Sequence, residues 1–144
     1  MPLEQPPRLV GIDYGHKRVG LAVADPLRMF AKALATVPTR AAVQTLAELD
    51  EREGVEAVVI GWPLLPDGSE GDATKKVGAF IKRIQKALPT VAVVRMDERY
   101  TSEEAKAVVR MSTAKRKHRR ERGRVDAAAA ALILQRYLDG EQRV

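Results

Sequence analysis

The chain has 144 residues, 45% apolar and 31% charged, which suits one ordinary globular domain spanning 1–144. It holds no Cys, which excludes disulfides, thiolate metal sites and cysteine nucleophiles and fits a reducing cytoplasm. No apolar run approaches the ~18 residues of a membrane span, the Pro-rich start Met1–Pro7 is no signal peptide, and the net charge of +6 has to be located before it can be read.

Arg8–Tyr14 (RLVGIDY) reads as a strand, Gly15-His16-Lys17 as a turn, and Arg18–Ala24 as the returning strand of a hairpin. Asp25-Pro26 stops it, and Met29–Val37 is expected to be a third strand. Pro38-Thr39 opens a helix to about Glu53, with Val43, Leu46 and Ala47 on its inner face, and Gly54 ends it. Val55–Ile60 has the composition of a buried parallel strand. Gly61 to Ser69 is expected to be a loop. A helix follows from Gly71 to Leu88, with Val77, Ile81, Ile84 and Leu88 in register, and Val91–Met96 is the fifth strand. Thr101-Ser102-Glu103-Glu104 is a capping-box pattern that starts a short helix to about Met111.

The charge lies next. Arg110–Arg124 holds eight basic residues and one acid, a net of +7, so the rest of the chain sums to −1. A block like this points to a polyanion. Ser112–Arg122 lacks apolar periodicity and is expected to be a mobile loop. Val125–Leu138 is the last helix, with Val125, Ala129, Leu132 and Ile133 facing inward. The order β-β-β-α-β-α-β-α-α implies an α/β fold with a mixed five-stranded sheet, a hairpin meander first and α-β alternation after it.

Three acids stand out. Asp13 sits in a strand between Gly11 and Gly15, although Asp is depleted in strands, and the glycines would let a large ligand approach the backbone. Glu98 follows the fifth strand, where sites form in open α/β sheets. Asp126 is expected in the first turn of the last helix, directly after the basic block. If strands one and five are close, two carboxylates can meet at one point and the helix can add the third. Oxygen-only ligands select hard ions, Mg²⁺ or Mn²⁺, and two such ions suit phosphodiester hydrolysis. His16 and His118 are the only histidines. His16 reads better as a turn residue than as a proton shuttle, and His118 belongs to the basic run.

Four motifs in order then carry a resemblance along nearly the whole chain. They are Gly11-Ile12-Asp13-Tyr14-Gly15-His16-Lys17-Arg18-Val19-Gly20-Leu21-Ala22, Gly61-Trp62-Pro63-Leu64 with Asp67-Gly68-Ser69-Glu70-Gly71, Asp97-Glu98-Arg99-Tyr100-Thr101-Ser102, and Val125-Asp126-Ala127-Ala128-Ala129-Ala130 with Ile133-Leu134-Gln135. They resemble the YqgF family, also called RuvX, of Holliday junction resolvases and pre-16S rRNA nucleases, with a ribonuclease-H-like fold. Trp62 stands where that family more usually has Leu. The resemblance implies that Asp13, Glu98 and Asp126 are catalytic and hold two Mg²⁺ or Mn²⁺ ions, and that Gly61 and Pro63 lie at the site margin. The nucleic-acid contacts expected are Lys17, Arg18, Arg99, Thr101, Lys115, Arg116, Lys117, Arg119, Arg120 and Arg122.

The implied activity is a metal-dependent endonuclease that resolves branched DNA in recombination and repair. The alternative is a nuclease that trims the 5′ end of precursor 16S rRNA in ribosome biogenesis, and a lesser one is a module that binds structured RNA without cutting it. A two-fold symmetric junction would call for a homodimer. No membrane partner is expected.

Overall fold

The computed structural model describes residues 5–98 and 118–140, with the side chains of the last helix from Asp126 onward. Its first three strands form a meander because short turns reverse the chain between β-branched, apolar runs. β1 (Arg8–Tyr14) and β2 (Arg18–Ala24) pair antiparallel, from Val10 opposite Val23 to Tyr14 opposite Val19. One carboxylate holds the second turn: Asp25 accepts the N–H groups of Leu27, Met29 and Phe30 at 3.1, 2.8 and 2.7 Å. Met29 and Phe30 are therefore used in the turn, and β3 (Ala31–Pro38) begins two residues later than its composition suggests.

The chain then alternates. α1 (Thr39–Glu53) ends at Gly54, whose φ of +77° an L side chain would resist. β4 (Val55–Trp62) lies parallel to β1, α2 (Asp72–Ala87) follows, and β5 (Ala92–Asp97) lies parallel to β4. The strand order is β3-β2-β1-β4-β5, the mixed sheet expected. β4 runs two residues past Ile60, so Gly61 and Trp62 belong to the ladder and not to the loop. Trp62 is buried and pairs with Asp97.

Period-two alternation divides the sheet into two unequal faces. One presents Val10, Ile12, Val19, Leu21, Val58 and Ile60 to α1 (Ala42, Leu46, Leu49) and α2 (Val77, Phe80, Ile81, Ile84). Full burial of each such Val, Leu, Ile or Phe side chain is worth about 1.5–3 kcal/mol, and this face carries most of them. On α1, Val43 and Ala47 sit at the margin of the core while Ala42 and Leu49 enter it. The other face presents Leu9, Ala22, Ala24, Ala57, Val59 and Met96 to a last helix, α3 (His118–Leu138). Its side chains are small, so α3 lies close to the sheet.

The described part of α3 already includes His118, so the helix is under way before Val125. The part of the expected loop from His118 to Arg122 is thus helical. Lys, Arg and Glu are good helix formers, and apolar periodicity is needed only where a helix packs. Ala130, Ile133 and Leu134 are buried on α3, with Leu132 only half-buried. Residues 112–117 and the short helix expected after Thr101 lie outside the described residues.

Candidate active site

Asp13 is the sixth residue of β1 and alternates with Ile12 and Tyr14, so it points to the α3 side of the sheet. Glu98 follows β5 directly, and its backbone N–H reaches the Trp62 carbonyl at 3.4 Å. The two acids do not come from neighbouring strands: β4 lies between β1 and β5. Ile12 pairs with Ile60, so Asp13 and Gly61 are the next residues along the two parallel strands. The Glu98 carboxyl lies across Gly61. A Cβ there would overlap Glu98 Oε2 and come within 2.8 Å of Glu98 Cδ and Ile133 Cδ1. Gly61 is therefore the floor over which the Glu98 carboxyl reaches towards Asp13. Pro63, half-buried, follows the end of β4.

The two carboxyls share a hydrogen bond. Burial, with the charge of Asp126, pushes Asp13 up to about 7, while the bond to Glu98 pulls it down. Glu98 is pushed up to about 8 by burial, by the Asp13 charge and by the same bond. Burial and like charge favour the protonated forms of both, and a proton held between the two carboxyls relieves their repulsion.

Asp126 comes from the opposite layer. It lies two turns into α3, well away from the first-turn position expected, so the helix N-terminus does not account for an acid here. Gly20, opposite Asp13 in the β1–β2 ladder, brings it in: a Cβ on Gly20 would overlap the Asp126 backbone carbonyl. Gly11 serves the same approach, since its Cβ would lie 2.5 Å from the Ala130 carbonyl oxygen. This glycine admits a helix and not a ligand. Burial raises the Asp126 pKa and Arg18 opposes the rise, its Nε donating to Asp126 Oδ2 at 3.3 Å. Among the described residues no three acidic or histidine side chains already converge on one point, because Asp126 faces Arg18 while Asp13 and Glu98 face each other.

The expected residues thus separate. Asp13, Glu98, Asp126, Gly61 and Arg18 are drawn together at one end of the sheet. His16 and Lys17 are exposed in the β1–β2 turn, and Thr39 Oγ1 anchors that turn by donating to the Gly15 carbonyl at 2.7 Å. His118, Arg119, Arg120 and Arg122 lie on the backbone of α3, and Arg99, Thr101, Lys115, Arg116 and Lys117 lie outside the described residues. Sequence reasoning missed Gly20. The hairpin register supplies the signal: a turn that sets Tyr14 opposite Val19 sets Gly20 opposite Asp13, and a glycine inside a strand marks a close approach.

Comparison with known proteins follows the same lines. The family model described as Holliday junction resolvase RuvX matches residues 7–140. A Salinibacter ruber protein named as a pre-16S rRNA nuclease is 50% identical over 132 residues, covering 92% of each chain. A Chlorobaculum tepidum protein of the same name is 41% identical over 132 residues, covering 92% of this chain and 93% of its own. Among solved structures, T. thermophilus RuvC in complex with a Holliday junction substrate aligns over 96% of this chain and 100% of its own, with a TM-score of 0.61 and 19% identity. At that identity the likeness establishes the fold alone.

Proposed function

The chain belongs to the RuvX family, also called YqgF, and from that premise we propose that it is a metal-dependent nuclease whose substrate is precursor 16S rRNA. The observation that carries the reading is the convergence of Asp13 and Glu98 across Gly61, with Asp126 brought to the same end of the sheet by the seat of α3 on Gly20. Buried carboxyls gathered this closely lose protons only against their own repulsion. A divalent cation relieves that repulsion better than a proton does. The donor set is oxygen only, which suits Mg²⁺ or Mn²⁺.

Asp13, Glu98 and Asp126 would hold the ions. When bound, these would activate a water and neutralise the charge on the leaving oxygen of a phosphodiester. The chain's own contribution is placement. Asp13 is fixed by its ladder, Glu98 by the Trp62 carbonyl and the Gly61 floor, and Asp126 by the close seat of α3 on Gly20. Arg18 donates to Asp126, and would be available to a substrate phosphate where Asp126 holds an ion.

Precursor rRNA is favoured over a DNA junction as substrate because the similar proteins from both organisms carry the rRNA name. Such a substrate places the protein in the cytoplasm. No helix among the described residues is long and apolar enough to cross a membrane. The test is parallel incubation of a precursor 16S rRNA fragment and a four-way DNA junction with Mg²⁺ and with Mn²⁺. Cleavage of the RNA at defined positions is expected. Cleavage of the junction alone would return the reading to resolvase, and binding of RNA without cleavage would leave only a binding module.

A further inference from the structure

Summed along the chain, the charge outside Arg110–Arg124 is −1, but the fold distributes it unevenly. α2 carries Lys75, Lys76, Lys82, Arg83 and Lys86, all exposed, against the single acid Asp72. At about 100° per residue, Lys75, Lys82 and Lys86 fall within roughly 40° of one another, with Lys76 and Arg83 alongside. This stripe lies opposite the buried Val77, Ile81 and Ile84. α1, packed on the same face of the sheet, is the contrast. It sets Arg40 and Arg52 against Glu48, Asp50, Glu51 and Glu53.

Helix stability does not explain the α2 stripe. Lys82 and Arg83 stand four and three residues before Lys86, spacings at which like charges destabilise a helix. Lys75 closes the first turn, where the helix dipole disfavours a cation. None of the five forms an ion pair with a carboxylate among the described residues. The arrangement makes sense with a polyanion that neutralises it.

Position narrows the choice. α2 begins at the end of the sheet where β4 and β5 finish, the end that holds Asp13, Gly61 and Glu98, but it packs on the opposite face from α3, so a strand leaving the site would have to pass over the β5 edge to meet the stripe. Arg95 of β5 continues the basic surface there, its guanidinium carbon 4.3 Å from the Trp62 ring centroid. From Lys75 to Lys86 the stripe runs about 16 Å at ~1.5 Å per residue, against ~3.4 Å of rise per phosphate on one strand.

We propose that this face of α2, continued by Arg95, binds the phosphate backbone of a duplex arm that extends from the cleavage point of a structured nucleic acid. The path of the arm rests on the nuclease reading above. The contact is to phosphate, shared by RNA and DNA, and carries no base information.

The test uses the full chain with Lys75→Gln, Lys82→Gln and Lys86→Gln combined, positions outside the carboxylate site. Affinity is measured against salt, in Ca²⁺ so that binding is read without turnover, for a hairpin with a long duplex arm made once in RNA and once in DNA. A short single-stranded oligonucleotide is the control. On the DNA arm the log-log salt slope should shallow by up to about 2.7 units if all three lysines meet phosphate, at ~0.9 per contact. The RNA arm should shift in the same direction, and the short oligonucleotide should keep the wild-type affinity. An unchanged slope on both long arms, or an equal loss on long and short probes, overturns the proposal. Because the readout is binding, wild-type protein that cuts nothing would sink the nuclease reading while leaving the slope result to stand or fall alone.

Discussion

At the residue scale the site is two carboxyls that share a proton over a glycine. Burial and their mutual charge push Asp13 up to about 7 and Glu98 up to about 8, from ordinary values of 3.8 and 4.5. Between those limits the folded chain binds more protons than the unfolded one, so its stability falls as pH rises. The cost of ionising the pair grows through this range, up to the raised values of both groups. Thermal unfolding in EDTA should therefore show a lower Tm at pH 8 than at pH 5, and Asp13→Asn should flatten the difference by raising the pH 8 value. Mg²⁺ should raise the wild-type Tm at pH 8 by binding the folded form, and should do so much less in Asp13→Asn. A wild-type Tm that is flat with pH and indifferent to Mg²⁺ would contradict this account of the pair. Gly61→Ala should push Glu98 aside and lower kcat by about 10²-fold, the usual effect of an ~1 Å misplacement, while the substrate Kd stays near wild type. Unchanged kcat in that variant would show that Gly61 is not the floor of the site. Asp13 and Glu98 were legible in sequence as acids where strands meet loops. Gly61 was legible only as a nearby residue, because its role depends on which strand lies between the two acids.

At the level of elements, the position of Asp126 depends on how close α3 comes to the sheet. Helices followed from apolar periodicity, because each buries one face, and β1, β2 and β4 from runs of apolar, β-branched residues, because helices cover both their faces. Boundaries moved where another interaction intervened: the Asp25 turn took Met29 and Phe30 from β3, and the Trp62 ladder lengthened β4. The start of α3 was hidden because His118–Arg122 carries no apolar stripe. Its docking was hidden because Gly11, Gly20, Ala22 and Ala24 read as weak strand residues until the helix above them is known. Gly20→Ala should cost about 1–3 kcal/mol of stability, the usual price of inserting a methyl into a packed contact, and should lower activity further by lifting Asp126 away from Asp13. Urea unfolding and steady-state kinetics on one preparation check both effects. A variant as stable and as active as wild type would mean that α3 does not seat on β2.

At the scale of the whole molecule, the sheet gathers acids at one end and the helices carry the basic charge around it. Arg110–Arg124 was legible from composition, but the α2 stripe was not, since acids elsewhere in the chain, α1 among them, offset it in a sum along the sequence. Folding turns the outer faces of α1 and α2 to the surface as separate patches, one acidic and one basic. The central claim is that Asp13, Glu98 and Asp126 act together on a phosphodiester bond. Single-turnover cleavage of precursor 16S rRNA in Mg²⁺ tests it, comparing wild type with Asp13→Asn, Glu98→Gln and Asp126→Asn. Binding is measured alongside, because metals serve the chemistry while Lys and Arg serve affinity. The account predicts that the wild type cuts and that each variant loses most turnover while binding the RNA nearly as well. Cleavage near the wild-type rate by any one variant would contradict the claim for that residue.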